Sequence, residues 1–88
     1  MQRKMKLIRK ILEYVEVSTT EERLPVPEFR DYSEAEVHYH LGLCEEAKYL
    51  VLYQPETDDP IRRFGGISRL TWAGHETLEA MRAGNDSY

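Results

Sequence analysis

A chain of 88 residues supports one domain with one small core, and 41% hydrophobic with 32% charged content is ordinary for a globular protein. Folding at this size hides roughly 60–70% of the surface of the extended chain, which leaves no second domain to wall a deep cleft and argues against an enzyme with a large substrate. The net charge of −4 opposes strong non-specific DNA binding, which depends on neutralising phosphates.

The spacing predicts a first helix over residues 2–17. Met1, Met5, Ile8, Leu12 and Val15 recur at four, three, four and three, and Leu7, Ile11 and Tyr14 widen the stripe. Arg3, Lys6, Arg9, Lys10 and Glu13 lie on or beside its polar side. Five of the 12 Lys and Arg residues fall in the first ten positions, whereas from Glu13 to Glu46 ten acidic residues face only Arg23 and Arg30. A basic helix is thus joined to an acidic middle. The basic face reads either as solvated surface or as a local phosphate-contacting patch. A membrane-surface role would consume the apolar stripe that the core needs. The same charges interrupt every apolar run near the N-terminus, so no secretory signal is expected. No segment approaches the ~20 apolar residues of a membrane span. Cys44, the single cysteine, allows no intrachain disulfide, and the expected setting is the cytoplasm.

Residues 18–32 are expected to be irregular. Ser18 through Glu22 could start a helix, but Pro25 and Pro27 stop it from continuing. Arg23 to Val26 reads as a loop or short edge strand, with the prolines where no ladder N–H is needed. The next helix begins at Ser33, which forms a capping box with Glu36. Glu34 and Glu36 suit the positive end of its dipole. Val37, Leu41 and Cys44 form its buried line, flanked by His40 and Ala47. Residues 49–53, Tyr-Leu-Val-Leu-Tyr, read as a strand covered on both faces or turned to a partner. Residues 54–66 carry turn chemistry in Pro55, Asp58, Asp59, Pro60, Gly65 and Gly66, and residues 67–71 read as the return strand. A last helix is predicted over 72–82, with Thr71 as N-cap and Gly84 just past its end. Gly74 in its first turn suggests close backbone packing. Trp72 is expected to be the largest core anchor, closing this helix on the hairpin. Residues 1–84 then make one domain and 85–88 a flexible tail.

The run Val37, His40, Leu41, Cys44, Ala47 resembles the recognition-helix pattern of winged helix-turn-helix proteins. Three segments are more specific: Met5 to Leu12, Tyr39 to Leu43, and Arg69 to Glu76. Together they resemble a bacterial and prophage family of small winged-helix proteins described as a domain of unknown function. The resemblance implies an α+β, winged helix-like fold, ordered helix–connector–helix–strand–wing–strand–helix, and a mobile-element setting. It brings no activity, ligand or catalytic residue. The chain departs from the wider pattern in three places. Cys44 stands for a core leucine. Lys48 stands for the glycine of a left-handed helix end, a conformation lysine adopts only at a steric cost, so a differently shaped helix end is expected. The second helix of the helix-turn-helix is shortened or missing.

Two functional readings follow. In a DNA-binding pose the early, exposed positions of the recognition helix would face the major groove. Ser33, His38 and Tyr39 are the candidates there, beside Glu34, Ala35 and Gly42, while Arg62 and Arg63 of the wing would reach phosphates or a minor groove. Asp58 and Asp59 could instead pair with those arginines as a solvated cluster. The same helix also carries Glu34, Glu36, Glu45 and Glu46, an acidic face suited to a basic host protein or to a second copy. Tyr39, Tyr49 and Tyr53 are possible interface aromatics for that reading. The first reading is a DNA-associated regulator acting on double-stranded DNA; the second is a protein-interaction module. No catalytic constellation, cofactor motif or small-molecule site is evident, so no enzyme is expected. His40 and Cys44 share a helix face, but a structural zinc needs four ligands and no His- or Cys-rich partner segment exists. A packed cysteine and a hydrogen-bonded histidine is the simpler reading, and burial would keep Cys44 unreactive. Trp72 with His75 has the look of a ligand box, set against the core-anchor reading.

Overall fold

The computed structural model describes residues 1–18 and 23–84. Expectations placed on 19–22 and on the tail 85–88 lie outside the described residues. The elements are α1 (Met5–Val17), α2 (Glu34–Glu46), β1 (Leu50–Tyr53), β2 (Gly66–Leu70) and α3 (Trp72–Gly84). They form an α+β arrangement of three helices and a two-stranded antiparallel sheet.

Helix α1 starts at Met5 rather than at residue 2, and Met1 is exposed ahead of it. Leu7, Ile8, Ile11, Leu12 and Val15 are buried, with Met5 and Tyr14 packed at the margin. The amphipathic stripe therefore holds from the fifth residue onward. Tyr14 Oη donates to the Pro25 carbonyl at 2.8 Å, which ties the connector to this helix. Leu24 and Ile67 exchange both backbone hydrogen bonds at 2.9 Å, so the expected edge strand exists as a single bridge on the free side of β2. Between Pro25 and Ser33 there is one turn, closed by Tyr32 N–H donating to the Phe29 carbonyl, and no helix. The prolines and the absence of a helical spacing account for this.

Helix α2 begins with the expected capping box, with Ser33 Oγ accepting from Glu36 N–H at 3.1 Å and the Glu36 carboxylate accepting from Ser33 N–H at 3.3 Å. Its other end corrects an expectation. Lys48 does adopt the left-handed conformation, with φ 68°. Tyr49 N–H donates to the Cys44 carbonyl at 2.8 Å and Lys48 N–H to the Glu45 carbonyl at 3.0 Å. That is the paired closure of a Schellman motif, so the ordinary helix end survives without its glycine. Two satisfied carbonyls offset a steric cost of roughly 1–2 kcal/mol.

Strands β1 and β2 pair from Leu50↔Leu70 to Tyr53↔Gly66, with an irregularity between Val51 and Leu52. Gly66 has φ 151°, and a Cβ there would lie 2.8 Å from the Leu24 carbonyl oxygen, so both the dihedral and the third-strand bridge require glycine. Thr71 caps α3, accepting Gly74 N–H on Oγ1 at 3.0 Å. The helix then runs through Gly84, two residues further than its spacing suggests, and Gly84 lies inside its last turn.

Aliphatic side chains make the core: Leu7, Ile11, Leu12, Leu41, Ile67 and Leu78 are wholly or almost wholly buried. Trp72 is not among them. It is 82% exposed, contrary to its expected role as core anchor. The reason is the phase of α3. A Cβ at Gly74 would sit 2.2 Å from the Tyr49 carbonyl oxygen, so this helix lies against the backbone at its glycine. Leu78 and Met81 continue the same buried line. At about 100° per residue, Trp72 is turned roughly 200° away from Gly74 and faces outward.

Gly74→Ala tests this contact. Helix propensity alone would favour alanine by about 1 kcal/mol. The overlap is with a backbone oxygen that no side-chain rotation relieves, and overpacking of that kind costs roughly 1–3 kcal/mol. The expected result is a lower urea midpoint for Gly74→Ala. Gly84→Ala, with no atom within 4 Å, should leave the midpoint unchanged or raise it.

Candidate functional site

The residues singled out for recognition meet where the loop of residues 54–65 folds back on α2. Arg62 Nε lies 3.3 Å from Glu34 Oε2. The Arg63 guanidinium covers Gly42, where a Cβ would stand 3.1 Å from Nη2, and reaches the Phe64 ring at 5.7 Å. Phe64 in turn lies parallel to the His38 ring, with centroids 6.3 Å apart and planes within 3°. Its backbone N–H donates to His38 Nδ1 at 3.3 Å. An imidazole accepting on Nδ1 carries its proton on Nε2.

Several expectations change here. His38 was expected to be exposed toward a groove and is 2% exposed beneath the loop. Gly42, expected on the same open face, is buried. Arg62 pairs with Glu34 of α2 and not with Asp58 or Asp59. Asp59 Oδ1 instead accepts Ile61 N–H at 2.8 Å and shapes the loop itself. No periodicity in α2 reports this cover, because it comes from a loop of twelve residues with no regular spacing. The signal that was available is the doublet of arginines followed by Phe64, opposite an acidic helix start.

The other candidates are also accounted for. Ser33 is committed to its cap. Tyr39 is half-buried and packs edge-on against His40, with centroids 5.5 Å apart. His40 is fully buried and bridges two helices: Nε2 accepts Lys4 N–H at 2.9 Å, and Nδ1 lies 2.8 Å from the Glu36 carbonyl. Since a backbone N–H only donates and a carbonyl only accepts, the ring holds its proton on Nδ1. Glu36 pairs with Lys4. The hydrogen bond from Lys4 holds the Glu36 carboxyl below the usual carboxylate range. The four glutamates of α2 therefore do not act as one face. Glu34 and Glu36 are paired within the chain, while Glu45 and Glu46 are exposed and unpaired among the described residues.

A family model described as "Hypothetical protein (DUF2513)" matches residues 2–85. The chain belongs to that family. No curated protein and no solved structure matches it. Membership in DUF2513 supplies kinship across nearly the whole chain and no ligand or reaction, so the chemistry of this member rests on its own side chains.

In this DUF2513 member Cys44 is buried, and burial pushes its thiol up to about 12. His40 and Cys44 share a helix face, but His40 is already committed at both nitrogens. Among the described residues no group of three or more His, Cys, Asp or Glu side chains could hold a metal ion. No helix among them is long and apolar enough to cross a membrane.

Two measurements follow from this arrangement. Burial lowers the pKa of His38 below 6.5, with Arg62 and Arg63 adding to the shift and Glu34 and Asp59 opposing it. The unfolded chain then binds a proton more readily, so the stability His38 contributes is present above pH 6.5 and is lost as pH falls through its folded value. Proton NMR of the His38 ring should show a midpoint below 6.5, and His38→Gln should flatten the stability profile as pH falls below 6.5. Second, Cys44 in the native protein should react with a thiol reagent at least about a hundredfold more slowly than in urea, because the thiolate is scarce and buried.

Proposed function

We propose that this chain is a non-enzymatic protein-interaction module on a winged-helix-like scaffold. The scaffold reading is supported by the order of α1, the Leu24 bridge, α2, β1, the 54–65 loop, β2 and α3, with that loop as the wing and no second helix of the motif among the described residues. The bacterial and prophage setting rests on the three-segment resemblance. One observation carries the choice of function: the α2 positions that would enter a major groove are already occupied. His38 lies under Phe64, Gly42 lies under Arg63, and Glu34 neutralises Arg62. A helix sheathed in this way no longer offers its own His38 and Gly42 to a groove, and Arg62 above it is already paired with Glu34. Phosphates are repelled by the remaining exposed acids, Glu45 and Glu46, which suit a basic partner protein or a basic patch on a second copy.

A second reading, a DNA-associated regulator, draws on one specific feature. The Arg62–Glu34 pair is exposed, at 61% and 49%, and pairs of this kind contribute at most about 1 kcal/mol. A phosphate could compete for Arg62, with the neighbouring exposed Arg63 as a further contact.

Fluorescence anisotropy of labelled random duplex DNA, at low and at physiological salt, separates the two. The interaction-module reading predicts no salt-sensitive binding up to tens of micromolar protein. Micromolar binding that weakens with salt, and that Arg62→Ala with Arg63→Ala removes, would establish the DNA reading instead.

A further inference from the structure

The outer face of α3 carries the largest side chain of the protein with nothing over it. Trp72 is 82% exposed, and it is the only tryptophan. Glu76 and Glu79 are exposed on the same side, four and seven residues on, and Trp72, His75, Glu76 and Glu79 together line a shallow surface depression. Gly74, Leu78 and Met81 hold the opposite side of the helix in the core, so this face is fixed in direction by the same contacts that stabilise the fold.

Its charges are not answered within the chain. Among the described residues, the cations near acids are Lys4, Arg9, Arg23, Arg62 and Arg82, and their partners are Glu36, Glu13, Glu56, Glu34 and Glu16, with Arg82 also reaching Glu13. Neither Glu76 nor Glu79 has one. Arg82, the cation of the last turn of α3, is turned to α1, where its guanidinium donates to both carboxylate oxygens of Glu16 at 2.7 and 3.0 Å. Arg69, on the neighbouring strand, donates to the Leu70 carbonyl. The result is an indole face with two uncompensated carboxylates beside it.

We propose that this face of α3 docks a basic segment of a partner protein, with a lysine or arginine side chain seated on the Trp72 ring between Glu76 and Glu79. A cation over an indole face is attracted by the ring quadrupole, and tryptophan is the strongest of the aromatic acceptors. The carboxylates add charge-assisted hydrogen bonds, for which the fork of a guanidinium is best shaped. Tryptophan is also the residue type most enriched at binding hot spots. The surface rests on the protein-interaction reading above and assigns the contact to α3, on a different element from Glu45 and Glu46 of α2.

The test uses the whole protein and a nine-residue peptide of alternating arginine and glycine, with an aspartate–glycine peptide as control. Trp72 emission reports binding, and anisotropy of the fluorescein-labelled peptide reports it for variants that lack the indole. The expected result is a saturable change with the basic peptide only. Glu76→Gln with Glu79→Gln, and separately Trp72→Ala, should each weaken binding at least tenfold, while Glu28→Gln with Asp31→Asn, at exposed acids of the connector, leaves it within twofold. All five side chains are exposed, and circular dichroism of each variant checks that the fold is kept. Three results would overturn the proposal: no binding of the basic peptide; equal binding by the α3 variants, or equal loss in the connector variant, which takes the contact off α3 and leaves the interaction reading standing; or a concentration-dependent Trp72 shift without peptide together with a dimer in sedimentation, which assigns the face to a second copy. A labelled duplex measured alongside shows whether the interaction reading itself fails.

Discussion

Helix α2 is gripped from two sides by its own histidines, and most of the surface follows from that grip. His40 accepts the Lys4 amide and so attaches the start of α1 to the middle of α2. His38, two positions earlier and turned to another side, accepts the Phe64 amide and draws the 54–65 loop over the helix. Both buried imidazoles use a ring nitrogen as an acceptor for a backbone N–H, so neither ring leaves that nitrogen without a partner away from water. Because these bonds and the apolar line of Val37, Leu41 and Cys44 cover different sectors, α2 is buried around much of its circumference. It behaves as an interior strut whose free surface is reduced to its two ends.

The charge pattern is reorganised by the same packing. Along the chain, basic residues crowd the first ten positions and acids the middle. In the fold the acidic middle draws cations from several segments: Lys4 meets Glu36, Arg62 meets Glu34, and Arg82 meets Glu16 and Glu13. Of the basic first ten positions, Lys4 and Arg9 are paired, while Arg3, Lys6 and Lys10 stay exposed and outside any ion pair among the described residues. These pairs are exposed, so they position side chains more than they stabilise the fold. Among the described residues they leave unpaired acids at the end of α2 and on the outer face of α3, and unpaired cations at Arg3, Lys6 and Lys10 around α1.

Local rules located the elements well where one short segment decided them. The Ser33 and Glu36 box, the Thr71 cap and the apolar stripe of α1 each depend on residues within one or two turns of each other, and all three stand in the structure. Two misreadings came from treating a side chain by its type. Trp72 was placed in the core because it is large and apolar, while the line Gly74, Leu78, Met81 already set the buried side of α3 and turned position 72 outward. Lys48 was expected to change the end of α2 because lysine disfavours a left-handed backbone, yet two Schellman hydrogen bonds outweigh that preference. The cover over His38 had no local signal at all, since it joins residues 26 positions apart.

The sequence by itself determined the helices, the hairpin, their order, the absence of a helix after Pro27 and an aliphatic core, because periodicity and caps act over a few residues and bury the same atoms in any compact arrangement. Only the tertiary structure decided which surface remained. It closed His38 and Gly42 of α2 under the loop, paired Glu34 and Glu36 with cations from distant segments, and left Trp72 with Glu76 and Glu79 in the open. The physical reason is that exposure is a property of what packs opposite. It is fixed by contacts such as the α3 backbone at Gly74 on the Tyr49 carbonyl, which bring together parts of the chain that local pattern cannot relate.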